Sequence, residues 1–311
     1  MSLPRFTQSE DPGPDFLGLL RQSGLTPPIA TSGQKLSIPH ATTVVALRYA
    51  DGIVMAGDRR ATEGHAIAHR AMEKVFPADR WSAVAIAGAA GPAMEMVRLF
   101  QVQLEHYEKV EGVALSLEGK ANQLAQMVRG HLPMAMQGLV VVPLFAGYDE
   151  RRRIGRIFTY DVTGGHYEET DFQATGSGGR DARTTIKLGF REGMDRDQAL
   201  ELAIQALYEA ADEDSGTGGP DLIRGIYPLV AVVDSNGYSQ VDQEYVAERF
   251  ASIIERKKMA YASNPVAAKV GPKKPEDANI SKAPARKARP VKPSTQKSQT
   301  SPKANKTEEQ P

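Results

Sequence analysis

The order of segments along this 311-residue chain predicts an α+β fold in which strands and helices occupy separate layers. Three observations carry the prediction. β-rich segments come in groups, near 42–56, 73–87, 139–175 and 229–241. Two helix-period segments separate the second group from the third, and two more separate the third from the fourth. Neighbouring strands are joined by hairpin chemistry at Asp51-Gly52, Thr163-Gly164-Gly165 and Ser235-Asn236-Gly237, which makes antiparallel pairs rather than βαβ crossovers.

Residues 1–41 hold six prolines and little periodicity, so they read either as a disordered leader or as a propeptide. Thr42–Tyr49 is β-branched and strand-like, and Ile53–Ala56 returns beside it. Glu73–Phe76 and Trp81–Ala87 are further strands. Gly88-Ala89-Ala90-Gly91-Pro92 permits close backbone approach and then opens a helix, because Pro suits the first turn. That helix is expected over Ala93–Lys109, and a second over Leu117–Met136. Leu139–Gly147 is almost wholly apolar, which suits a strand buried on both faces. Arg156–Val162 and His166–Glu169 form a hairpin, and Phe172–Thr175 leads into Gly176-Ser177-Gly178-Gly179. Helices are expected at Arg180–Lys187 and Asp197–Ala211, a hairpin at Leu229–Asp234 and Tyr238–Val241, and a last helix at Ala247–Met259. Residues 42–259 therefore make one domain, and 260–311, rich in Lys, Pro, Ala and Ser, a disordered basic tail.

Lys and Arg (38) balance Asp and Glu (38), but unevenly. Lys257–Pro311 carries 13 basic and 4 acidic residues, a net +9 that the remainder offsets. With no Cys, disulfides and thiol catalysis are excluded and a reducing compartment is expected. No apolar run approaches the roughly 20 residues of a membrane span, and the start lacks the order of a secretory signal. The expectation is a cytoplasmic protein with no membrane contact.

A threonine hydroxyl is a weak nucleophile at neutral pH and needs a base. If the chain were cut before Thr42, the freed α-amine, with a pKa of about 7.7–8.0, could take the hydroxyl proton directly or through water. The alternative is that Thr42-Thr43 simply begins a strand. The companions bear on the choice. The Asp51-Gly52 hairpin returns Asp58–Thr62 beside Thr42. Lys74 lies in a short apolar stretch, where burial beside an aspartate would favour hydroxyl deprotonation. Gly88 sits between a strand and a helix start, where an N–H can face an oxyanion.

Thr42-Thr43-Val44-Val45, Gly57-Asp58-Arg59-Arg60-Ala61-Thr62, Lys74, Gly88, Gly176-Ser177-Gly178 and Asp214-Ser215-Gly216-Thr217-Gly218-Gly219 occur in the order and spacing of 20S proteasome β subunits. The actinobacterial type is the nearest in pattern, through Glu105–Lys109, Met127-Val128-Arg129-Gly130 and Gly218–Ile226. The resemblance covers about residues 40–255, and its ordered set is far more specific than any one motif.

This resemblance implies the four-layer αββα sandwich of the N-terminal nucleophile hydrolases. It implies self-cleavage between Ala41 and Thr42, with residues 1–41 as the propeptide. Thr42 would then be the nucleophile of a threonine endopeptidase. Asp58 and Lys74 match the supporting pair, Gly88 the oxyanion donor, and Ser177, Asp214 and Thr217 the polar group around the amine. Thr62 and Ala90 match positions whose backbones hold substrate as an added strand. Ala61, Met72, Ile86, Ala90 and Met94 match the specificity pocket, whose apolar lining implies apolar residues before the scissile bond. The implied partners are proteasome α subunits, seven-membered β rings in a 28-subunit barrel, a ring-shaped ATPase or other activator, and unfolded protein substrates. No cofactor or metal is implied. A non-catalytic ring subunit and another N-terminal nucleophile hydrolase are the competing expectations. One departure stands out: Ala41 replaces the glycine usual before the nucleophile, which restricts the backbone that must strain during cleavage.

Other signals carry less. His65 and His69 are spaced i, i+4 without a surrounding zinc motif. Asp212-Glu213-Asp214 could attract an incidental cation but is not a Ca²⁺ loop. Gly176-Ser177-Gly178-Gly179 lacks the Lys-Ser/Thr of a phosphate loop. The tail around Lys282–Pro290 has the composition of a nucleic-acid arm, or of a merely solvated tail.

Overall fold

The structure, a computed structural model, describes residues 42–263. Twelve strands and six helices are present among them. The first five-stranded sheet contains β1 (Thr43–Tyr49), β2 (Gly52–Gly57), β10 (Phe172–Gly176), β11 (Leu229–Asp234) and β12 (Gly237–Gln240), in the order β10-β1-β2-β11-β12. The second contains β5 (Val75–Asp79), β6 (Ser82–Gly88), β7 (Val141–Asp149), β8 (Ile154–Tyr160) and β9 (His166–Glu169), in chain order. Every pairing in both sheets is antiparallel.

Period-2 alternation assigns the faces. Along β1, Val44 and Ala46 enter a core between the two sheets, with Val75, Ala85, Leu144 and Ile157 from the second sheet. Val45 and Leu47 face the other way, onto α4 (Gly179–Gly189), α5 (Arg196–Glu213) and α6 (Gln243–Ala262). The outer face of the second sheet packs Val84, Phe145 and Phe158 against α1 (Ala90–Glu111) and α2 (Leu117–Gly130). The result is a helix–sheet–sheet–helix sandwich with three apolar layers.

Local chemistry sets the element ends that matter for the site. Gly88 closes β6 at φ 119°, and a Cβ there would fall 2.1 Å from Val140 O, so only glycine fits this turn into α1. Asp195 caps α5 in a reciprocal box with Gln198. At the other end of α5, Asp214 is the C-cap.

Several boundaries differ from the sequence expectation. The helix anticipated over Leu117–Met136 breaks at His131 into α2 and α3 (Leu132–Met136), because Pro133 at the second position of the new helix starts a fresh turn. α1 begins three residues before Ala93, with Pro92 still in its first turn. A short hairpin, β3 (Ala61–Glu63) and β4 (Ala66–His69), was not anticipated; its exposed residues lack an apolar face. The last helix runs to Ala262, so the first residues assigned to the tail are helical. The expectations for 1–41 and for the remainder of the tail lie outside the described residues.

Candidate active site

The site forms where β1 begins and β2 ends, beside the start of β5. Asp58 follows β2, and its N–H donates to Thr43 O at 3.0 Å, continuing the β1–β2 ladder by one step. Lys74 precedes β5, and its carbonyl accepts Ile86 N–H at 3.0 Å from β6. The two sheets therefore bring Asp58 and Lys74 together, with Nζ to Oδ1 at 2.6 Å and both side chains essentially fully buried. Lys74 Nζ also donates to Arg60 O at 2.6 Å.

Asp58 is held on every side. Oδ1 accepts Thr43 N–H at 2.8 Å as well as the lysine. Oδ2 accepts Arg60 N–H at 2.9 Å and Gly218 N–H at 2.8 Å. These donors hold a buried carboxylate without help from water. Burial pulls Lys74 below the usual lysine range, against the opposing pull of Asp58.

Thr42 lies just before β1 and is itself buried. Its carbonyl accepts Ser177 N–H at 2.8 Å, and its nitrogen lies 3.4 Å from Ser177 Oγ. In the full-length chain that nitrogen belongs to the peptide bond with Ala41. Ser177 Oγ in turn reaches Asp214 Oδ2 at 2.5 Å, and Thr217 Oγ1 reaches the same oxygen at 2.6 Å. Partial burial would raise Asp214, but the bonds from Ser177 and Thr217 outweigh it and hold the carboxyl below its usual range.

Two cavities flank Thr42, and both are lined by Thr42 and Gly88. One, of about 30 Å³, has Lys74 and the predicted Ala61, Thr62, Met72, Ile86 and Ala90 in its wall. The predicted Met94 is not in that wall; it packs, half-buried, against the α1–α2 core, and Ala93 takes the place expected of it. The other cavity, of about 260 Å³, is bounded by Val140, Val142, Thr175 and Ser177. All of the residues singled out around Thr42, namely Asp58, Lys74, Gly88, Ser177, Asp214 and Thr217, thus lie in one neighbourhood.

Sequence reasoning gave no role to Thr43, Arg60, Gly178 or Gly218, although each stands in a quoted motif. Their contributions are largely backbone N–H and C=O groups, which side-chain chemistry does not advertise. His65 and His69 are exposed on the β3–β4 hairpin. Among the described residues no cluster of three or more His, Asp or Glu could hold a metal, and no helix is long and apolar enough to cross a membrane.

A sandwich of two antiparallel sheets between helix layers, with a threonine leading the first strand, defines the N-terminal nucleophile hydrolase fold. A family model described as proteasome subunit matches residues 38–222. A proteasome subunit beta of Acidimicrobium ferrooxidans is 64% identical over 250 residues, covering 80% of this chain and 92% of the relative. Proteasome subunit beta of Acidothermus cellulolyticus is 57% identical over 239 residues (76% of this chain, 82% of the relative). That of Streptomyces griseus is 58% identical over 219 residues (70% and 78%). The chain belongs to the proteasome family, as a 20S β subunit of the actinobacterial type.

Proposed function

We propose that this chain is the catalytic β subunit of a 20S proteasome, a threonine endopeptidase whose nucleophile is Thr42. The observation that supports it most is the buried Lys74–Asp58 pair opening into the small cavity that Thr42 lines. In the full-length chain Thr42 has no free amine, so Lys74, made less basic by burial, is the group suited to draw the hydroxyl proton. Self-cleavage then follows from attack of Thr42 Oγ on the Ala41 carbonyl. The peptide nitrogen leaves with a proton, and water hydrolyses the resulting ester.

The same hydroxyl next attacks a substrate carbonyl, with the new α-amine, beside Ser177 and Asp214, as proton shuttle. The substrate amine departs protonated, and water releases the acyl group. Gly88 N–H serves the oxyanion. Substrate lies as an added strand along Thr62 and Ala90, and an apolar residue before the scissile bond enters the cavity of Ala61, Met72 and Ile86. Unfolded proteins are the substrates. The chain works in the cytoplasm, in seven-membered rings of a 28-subunit barrel closed by α subunits and served by a ring-shaped ATPase or other activator.

Intact mass and N-terminal sequencing of the purified assembly test this directly. A mature chain beginning at Thr42, with Thr42→Ala lacking both processing and peptidase activity, is expected. A fully assembled but uncut wild-type chain would instead make this a non-catalytic ring subunit, and activity surviving in Thr42→Ala would dismiss the nucleophile.

A further inference from the structure

Thr43 faces away from the nucleophile. Alternation along β1 turns it to the helix side of the sheet, where Val45 and Leu47 also point, and it is completely buried. A fully buried hydroxyl needs partners, and it has two. Its Oγ1 lies 2.6 Å from Thr217 Oγ1 and accepts Gly178 N–H at 3.0 Å.

The proton positions along this chain of groups follow from the chemistry of each. Asp214 is held ionised and only accepts, so Thr217 donates to it. Thr217 has one hydroxyl proton, so toward Thr43 it accepts. Thr43 therefore donates to Thr217 and accepts from Gly178. The packing leaves no slack: a Cβ on Gly178 would fall 2.6 Å from both hydroxyl oxygens.

The backbone of Thr43 completes the argument. Its N–H is bound by Asp58 Oδ1 at 2.8 Å, while the carbonyl of the same Thr42–Thr43 peptide unit is bound by Ser177 N–H at 2.8 Å. Once Ala41 is removed, that peptide unit is the one covalent attachment of Thr42 to the chain. Its orientation decides where both the amine and the hydroxyl lie.

We propose that Thr43 is a positioning residue: its hydroxyl, clamped between Gly178 and Thr217, fixes the Thr42–Thr43 peptide unit and so ties the Asp58–Lys74 side of the site to the Ser177–Asp214 side. The proposal rests on the catalytic role assigned to Thr42 above. It adds a specific demand for a hydroxyl at a position that never touches substrate.

The test compares Thr43→Val, Thr43→Ser and Thr217→Val with wild type and Thr42→Ala, each assembled with its partner subunits. Fluorogenic peptides with an apolar residue before the cleaved bond give kcat and KM. Valine at 43 keeps the volume and removes the clamp, so kcat should fall by about tenfold to a hundredfold, with KM within about twofold. Serine restores the hydroxyl and should return kcat to within about threefold of wild type. Thr217→Val should match Thr43→Val in kcat and, having lost a donor to Asp214, should also move the acid limb of the pH profile upward. The double variant should be no worse than the poorer single one, because both break one link.

Thr43→Val with wild-type kcat, or Thr43→Ser as impaired as Thr43→Val, overturns the proposal while leaving Thr42 as nucleophile. If Thr43→Val does not assemble or mature, Thr217→Val decides, and a kcat within about twofold of wild type overturns the clamp. Activity retained in Thr42→Ala removes the parent assignment instead, and this one with it.

Discussion

Among the described residues two buried lysines each hold an aspartate, and the two pairs share a short contact but not their surroundings. Lys74 meets Asp58 at 2.6 Å, and Lys120 meets Asp79 at 2.5 Å. Side-chain exposures are 2% and 0% in the first pair and 4% and 16% in the second, so both lysines are buried and only Asp79 is partly open to solvent. Their surroundings separate the pairs. Asp79 ends β5, and its Oδ1 accepts Trp81 N–H at 3.0 Å and the Ser82 hydroxyl at 2.6 Å, so it organises the turn into β6. Lys120 reaches it from α2 and fastens that helix to the second sheet. Lys74 and Asp58 stand where two sheets meet, beside Thr42 and a cavity. A buried ion pair is thus a poor marker of function by itself, and the adjoining nucleophile and cavity distinguish the two.

The largest expected effect breaks the inner pair. Lys74→Ala should reduce peptide hydrolysis by about a thousandfold or more, because it removes both the proton acceptor of self-cleavage and a charge beside the hydroxyl. The fold should survive, since Asp58 keeps three backbone donors, from Thr43, Arg60 and Gly218. Assembly with near-wild-type hydrolysis would place the base elsewhere.

The next effect is in pH. Burial lowers Lys74, so between its depressed value and the ordinary lysine value the folded chain holds fewer protons here than the unfolded chain. This group's contribution to stability therefore rises with pH across that window. The same sign applies to chemistry: the neutral amine becomes more populated as pH rises. Self-cleavage of the full-length chain, followed by intact mass at stepped pH, should accelerate as pH is raised toward the ordinary lysine value. A flat profile would break the link between Lys74 and processing.

The contrast between the pairs also explains what was legible in the sequence. The layered fold was readable because β1, β6 and β7 alternate or run apolar, and because hairpin turns name their partners. Thr42, Asp58 and Lys74 were readable as residues in motif order. The break at His131 was hidden because apolar periodicity continues through Leu132 and Met136 while the backbone does not. The β3–β4 hairpin was hidden because its strands are short and bury no apolar face. Lys120 was missed despite a signal: it falls on the buried stripe of Leu117, Ala121, Leu124 and Val128, where a charge must have a partner. The oxygens of Asp58 could not be assigned, because their partners other than Lys74 are backbone groups up to 160 residues away.

The smallest effects belong to the outer pair. Lys120→Met keeps an apolar stem in the stripe and removes the charge. It leaves the Asp79 side chain short of one partner, a loss of about 1–3 kcal/mol given its partial exposure, which should lower the melting midpoint of the assembled particle. Peptidase activity should stay within about twofold of wild type, since neither residue lines a cavity beside Thr42. Adding Asp79→Asn should then recover most of the loss. The amide oxygen can still accept from Trp81 N–H and the Ser82 hydroxyl, and no charge is left without its partner. The double variant should melt between Lys120→Met and wild type, less than about 1 kcal/mol below the latter. A double variant that melts lower than the single one would mean that the turn needs the carboxylate itself. A single variant that loses peptidase activity while keeping its melting midpoint would mean that the outer pair is coupled to Thr42 through the second sheet, and the distinction between the two pairs would fail.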